Sequence, residues 1–206
     1  MIDIQGVITI VIKIVSILLV LYVFEITKAI SSAVQGDTMP KEKGMLTPNI
    51  FKYFEPIGFL LTFFYGYGWG QPAPVSSRFY KNRKTGTLIT HLTPIIVSVI
   101  LSFVLNIAQN ITAGMVKTNQ TVNAALCVMY FLFYLSQYFL KIAVFNLIPI
   151  PPMCGYEIIK CFLSPNAAFR YGQNAHLIQM GFLFLWFFGL ITPILDSIIA
   201  IIYSFF

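Results

Sequence analysis

Glu25 and Lys28 are the residues of this chain whose types and spacing could do chemistry in an unusual place. Both fall inside a long apolar run, residues 6–33. Three residues apart on a helix, they share one face. An ionisable side chain inside such a run is costly, and is normally paired or placed in a wet cavity. Two arrangements are open from the sequence. The Lys28 ammonium neutralises the Glu25 carboxylate inside the fold, or each group lies near enough to the end of the run to reach water independently. A buried carboxylate with no partner would take up a proton instead.

The other reactive groups carry weaker signals. Cys127, Cys154 and Cys161 lie in or beside apolar segments and read as free buried thiols, not as a disulfide framework. Cys154, Cys161 and His176 match no standard zinc spacing, and His91 and His176 read as residues near the starts of apolar runs. Lys141 stands well inside a fourth run, where it either snorkels to the interface or faces a cavity or a partner subunit. Asp196 either caps a re-entrant helix or lies in the outer interface. Gly66, Gly68 and Gly70 alternate in a way that suggests a hairpin or extended loop, not a phosphate loop. There is no nucleotide-binding, Ser/His/Asp or Cys/His signature. The 16% of aromatic residues belongs to spans and interfaces, so no small-molecule cofactor is expected.

The elements that must hold these groups follow from composition. The chain has 206 residues, of which 58% are hydrophobic and 10% charged, and its mean hydropathy is +0.81. Soluble domains carry about 25% charged residues, so this is read as an integral membrane protein forming one compact domain. Spans are expected at 6–33, 88–109, 124–147 and 176–206, the last broken near Thr192-Pro193 as a bent helix or a helical hairpin. Residues 56–67 are apolar but shorter than the ~20 residues a span needs, so 56–75 reads as a membrane-edge re-entrant or hairpin segment.

Lysine and arginine placement sets the expected orientation. Lys41, Lys43 and Lys52 lie in one loop and Arg78, Lys81, Arg83 and Lys84 in the next. Both loops are expected in the cytoplasm, as is the segment after Leu147 with Lys160 and Arg170. The loop from Asn110 to Asn123, with Lys117, is expected outside, as are Met1 and Asp3. The formal net charge of +6 reflects this bias toward anionic headgroups and not nucleic-acid binding. The first run lacks a basic start and exceeds the ~7–15 apolar residues of a signal peptide, so it is read as retained.

Seven segments in order, running from the first helix to Glu157, then carry a family likeness. Phe24-Glu25-Ile26-Thr27-Lys28 stands near the end of the first helix, where a zinc protease would have His-Glu-x-x-His. Gly36-Asp37 follows, then Thr47-Pro48 and Glu55-Pro56-Ile57-Gly58, then Gly68-Trp69 with Pro72-Ala73-Pro74-Val75. A basic stretch ends at Gly86. Last and most specific is Phe145-Asn146-Leu147-Ile148-Pro149-Ile150-Pro151-Pro152-Met153-Cys154-Gly155. In this order the chain resembles the site-2 protease family of intramembrane zinc metalloproteases. Leu92-Thr93-Pro94 departs from the Ala-Gly-Pro usual there.

The resemblance implies an all-α polytopic membrane protein with a site-2-protease-like transmembrane core and short re-entrant or hairpin segments on the cytoplasmic side. It implies one domain over residues 1–206, with neither a PDZ nor a CBS domain, in a bacterial-type plasma membrane. It places Phe24, Lys28 and Cys154 at the three zinc-ligand positions and Glu25 at the general-base position. Asn146, Pro149, Pro151, Pro152 and Gly155 become cleft residues. A catalytic zinc site needs three protein ligands and an open position for water. Phe cannot bind a metal and a lysine cation repels one, so no metal, no cofactor and no catalytic residue is expected. Lys28 is expected to stand where the ion stood. The function implied is that of a pseudoprotease, which binds transmembrane helices or a membrane partner without cleaving them. The alternatives are a structural subunit of a larger membrane complex and, third, an atypical metalloprotease built on Glu25 and Cys154. The partners implied are membrane lipids and a transmembrane client or complex partner.

Overall fold

The structure, a computed structural model, describes residues 4–115 and 124–204. Met1, Asp3 and Lys117, used above for orientation, lie outside the described residues. Those residues form nine α-helices and two short 3-10 turns, with no strand among them. Three helices are long and apolar enough to cross a membrane: α1 (Ile4–Val34), α4 (Arg83–Met115) and α5 (Ala124–Asn146). They pack against one another as a three-helix core. Around them lie α2 (Met39–Glu42), α3 (Pro56–Tyr65), α6 (Cys154–Lys160) and α7 (Pro165–Gln173). The last pair, α8 (Ala175–Phe187) and α9 (Thr192–Tyr203), is bent by 81° and makes a fourth candidate span if the two halves count as one. This is the build of an integral membrane protein.

Three boundaries differ from the sequence reading, one of them the end of α4, which runs on to Met115 through residues expected in the outer loop from Asn110. Arg83 and Lys84 open α4 instead of lying in the loop before it. The Asn82 side chain accepts a hydrogen bond from the Thr85 backbone N–H at 3.1 Å and stops the chain at that point. The break in the last run falls at residues 188–191, before Pro193. Gly189 adopts φ +72°, a left-handed turn that ends α8, and Pro193 sits in the first turn of α9, where its missing N–H removes no helix bond. Pro94 is buried inside α4, which continues through it.

The segment from α3 to α4 is built by close backbone approach. Glu55 caps α3 by accepting from the Gly58 N–H, and Pro56 supplies the first helical position. Gly66, at φ +82°, ends the helix and turns the chain back. The returning strand-like stretch then runs against α3. A Cβ on Gly68 would lie 2.1 Å from the Gly58 carbonyl oxygen, and one on Gly58 would lie 2.0 Å from that of Trp69. The alternating glycines therefore mark a backbone-to-backbone contact. Trp69 stacks parallel to Phe145, with ring centroids 6.4 Å apart, and so joins this stretch to α5.

Candidate functional site

Glu25 and Lys28 come from α1, one helical turn apart, and both are 3% exposed. Their charged groups meet at 2.6 Å. The same carboxylate oxygen, Oε2, also accepts the Ala73 backbone N–H at 2.8 Å. The returning stretch between Pro72 and Val75 is thereby strapped onto α1 at the carboxylate. Gly70 lies in the same close packing: a Cβ there would sit 3.0 Å from the Tyr53 carbonyl oxygen. Of the two arrangements open from sequence, the structure has the paired one.

A second anchor holds the far end of the strap. Gly36, at φ +96°, ends α1 and brings Asp37 back under it. Asp37 Oδ2 accepts from Ser32 Oγ at 2.6 Å and from the Ser76 N–H at 2.7 Å, while Oδ1 accepts from the Met39 N–H at 3.0 Å. Ser32 also meets the Tyr80 hydroxyl at 2.6 Å, and Thr90 of α4 donates to that hydroxyl at 2.9 Å. Asp37, Ser32, Tyr80 and Thr90 are all buried. The sequence showed Gly36-Asp37 as part of a motif but gave no sign of this network. Its four members lie up to 58 residues apart and only the fold brings them together.

Cys154 approaches from the other side. Asn146, the last residue of α5, donates from Nδ2 to the Ile142 carbonyl at 3.0 Å and accepts from the Cys154 N–H at 3.4 Å. The proline-rich loop folds over this joint. A Cβ on Gly155 would be 2.2 Å from the Leu147 carbonyl oxygen, and the Pro151–Pro152 bond is cis. The Pro149 carbonyl accepts from the Tyr171 hydroxyl of α7. Cys154 is 2% exposed and packs in the same buried cluster as Phe24. Burial pushes its thiol up to about 12, although Lys28 pulls the other way. It is therefore a protonated thiol at neutral pH, a poor metal ligand and a poor nucleophile.

Phe24, Glu25, Lys28 and Cys154 thus gather in one place. Beside them opens a cavity of about 380 Å³, lined by Lys28, Pro74, Tyr80, His91, Pro152 and Glu157 among others. His91 is buried, and its Nδ1 has no hydrogen-bond partner among the described residues. Sequence reasoning treated His91 as bland, because nothing local marks which α4 residues face the cavity. The donor set does not fit a catalytic zinc ion. Phe24 has no donor atom, Lys28 presents an ammonium, and Glu25 Oε2 already accepts from Lys28 and Ala73. Among the described residues, no group of three or more His, Cys, Asp or Glu could hold a metal. Cys161 and His176 are not brought together with Cys154 in any such group.

One curated protein shows the likeness in sequence. Over 149 residues the chain is 31% identical to a protein of Bacillus subtilis (strain 168) named "Putative zinc metalloprotease YwhC". The aligned part is 67% of this chain and 63% of that protein, so the chain spans less than two thirds of its relative's length. No protein-family model matches the chain, and no solved structure matches it.

Proposed function

We propose that this chain is a site-2-protease-like membrane protein without proteolytic activity, which binds a transmembrane helix or a membrane partner and does not cut it. The observation that carries this reading is the buried ion pair of Glu25 and Lys28, at the spacing where the family's motif has its base and its second zinc ligand. A metal-activated hydrolase uses the ion to lower the pKa of bound water to about 7. Here an ammonium occupies the carboxylate, and the residue at the third ligand position is a buried thiol. The relative's printed name supports a metalloprotease ancestry for the scaffold.

What remains is a cleft with an open cavity. The strap from Pro72 to Ser76 forms one wall and is held at both ends by carboxylates, Glu25 and Asp37. His91 and Tyr80 from the α4 side and Pro152 from the proline-rich loop form the others. In this reading residues 56–75 are a re-entrant segment that enters from the side of the basic loops, with its turn at Gly66 reaching toward Lys13, and the cavity receives an unwound or extended stretch of the client.

The test is site-specific photo-crosslinking in cells, with the photoreactive residue at Val75 in the cavity and, as a control, at Ile100 on the exposed face of α4. The expected result is a crosslink to a membrane protein of unchanged length from Val75 and none from Ile100. A shortened client would show that the site cuts. Equal crosslinks at both positions would show that the cavity is not the binding site, as in a structural subunit whose cleft is packed shut.

A further inference from the structure

We propose that a second, separate site binds the phosphate of an anionic phospholipid, in the leaflet opposite the loops that carry Lys41 to Lys52 and Arg78 to Lys84. The site is a groove of about 310 Å³ between α1, the turn after α3, and α5. Two cations line it, Lys13 and Lys141, and no carboxylate does. Lys13 Nζ donates to the Phe63 carbonyl at 2.6 Å and lies 4.5 Å from the centre of the Phe63 ring. Lys13 has no carboxylate partner among the described residues. Lys141 lies 4.9 Å from the centre of the Tyr67 ring and 3.5 Å from Asp196, whose same oxygen takes the Tyr67 hydroxyl at 2.6 Å. An ammonium has three donors, so both lysines keep donors to spare. Counting Asp196, the cluster holds two positive charges and one negative, and one anion would balance it.

The depth of the groove favours a headgroup. Gln35 meets Thr90 and Ser31 meets Thr93, which fixes the antiparallel register of α1 against α4. Carried along both helices, that register puts Lys13 level with about residue 111 of α4. Asn106 and Asn110 are hydrogen-bonded to each other on the exposed surface there, and Thr112 follows. The helix from Lys13 to Val34 is ~31 Å long, one hydrocarbon thickness. The basic loops begin just beyond Val34, so Lys13 stands at the opposite boundary. Phe63, Phe133 and Tyr134 line the groove, and aromatic rings collect at membrane boundaries. Lysines near a membrane surface attract anionic lipid, each by about fivefold. The groove is independent of the Glu25–Lys28 site and of what that site does.

The experiment reconstitutes the full chain in nanodiscs of phosphatidylcholine alone or mixed with phosphatidylglycerol, releases it, and reads the retained lipid by native mass spectrometry. The expected result is one phosphatidylglycerol per chain, held about tenfold or more over phosphatidylcholine. The double variant Lys13→Gln with Lys141→Gln loses that preference. Lys13→Arg with Lys141→Arg keeps it, which shows that charge and not folding is read. Lys81→Gln with Arg83→Gln, in the opposite basic segment, also keeps it. Four results would overturn the proposal. One is an absence of preference in the wild type, and another is a preference that survives the Gln pair. The third is retention in lipid-free detergent of inorganic phosphate as tightly as of the phospholipid. Retention of an acidic membrane peptide in place of lipid would likewise contradict it.

Discussion

The chain holds two charged clusters inside its apolar helices, and they are built in opposite ways. Glu25 and Lys28 are sealed: their side chains are 4% exposed, they are 2.6 Å apart, and a backbone N–H also bonds the carboxylate. Lys13, Lys141 and Asp196 are open: Lys141 and Asp196 are 3.5 Å apart, with side chains 23% and 52% exposed. The same residue types therefore do different work. In the sealed cluster both charges are compensated within the fold, and losing either partner strands the other. In the open one the charges do not balance and the side chains are partly exposed, so losing one partner does not strand the other in the interior. Burial decides which cluster is structure and which is available to a ligand.

The comparison is broken most readily at the sealed pair. Lys28→Ala leaves the Glu25 carboxylate buried with one backbone donor and is expected to destabilise the protein by about 3–5 kcal/mol. Glu25→Gln combined with Lys28→Ala removes both charges and should recover much of that loss. Thermal unfolding in detergent of the two single variants and the double variant closes the cycle. An unchanged midpoint for Lys28→Ala would mean that water reaches the pair.

The strap that seals the pair is the next target. Gly68→Ala sets a Cβ 2.1 Å from both the Gly58 carbonyl oxygen and Thr62 Oγ1, and backbone cannot yield as a side-chain tip can. A loss of about 1–3 kcal/mol or more is expected, together with faster proteolysis of the 66–76 stretch. If the substitution is silent, the return stretch does not lie against α3. In the open cluster, Asp196→Asn should cost about 1 kcal/mol or less, because half of the side chain is exposed and the amide oxygen can still accept the Tyr67 hydroxyl. A loss as large as that of Lys28→Ala would erase the distinction drawn between the two clusters.

The smallest expected effect is at Cys154. Burial raises its thiol from an ordinary 9 to about 12, so the fold favours the protonated form. That contribution is complete below pH 9 and is lost as the pH climbs from 9 toward 12, where the unfolded chain ionises first. The difference in thermal midpoint between wild type and Cys154→Ala should therefore shrink across that window. Curves that stay parallel would mean the thiol is solvated. At pH 8, an alkylating reagent should spare Cys154 in the folded protein.

Much of this was legible in the sequence. The apolar runs gave α1 and α5 to within two residues but left α4 five residues short at its start and six at its end, and the separation of three between Glu25 and Lys28 put them on one face. The helix ends were less legible, because Asn82 and Gly189 act through local capping and a left-handed turn, which hydropathy does not register. The strap was visible only as alternating glycines and a Pro-x-Pro-Val string. Its attachment to Glu25 and Asp37 is a contact between residues 39 to 48 apart, which no local pattern encodes. Lys141 and Asp196 were each read alone. Their proximity, and that of Lys13, depends on how α1, α5 and α9 pack, and so the second groove had no signature in the sequence.

We propose that the internal ion pair of Glu25 and Lys28 stands at the position where a site-2 protease would hold its metal. Elemental analysis of the purified chain tests it most directly, run beside the triple variant Phe24→His, Lys28→His, Cys154→Asp after equal exposure to zinc and mild chelation. No stoichiometric zinc is expected in the wild type, and zinc is expected to appear once the three donors are introduced. About one zinc per wild-type chain would contradict it.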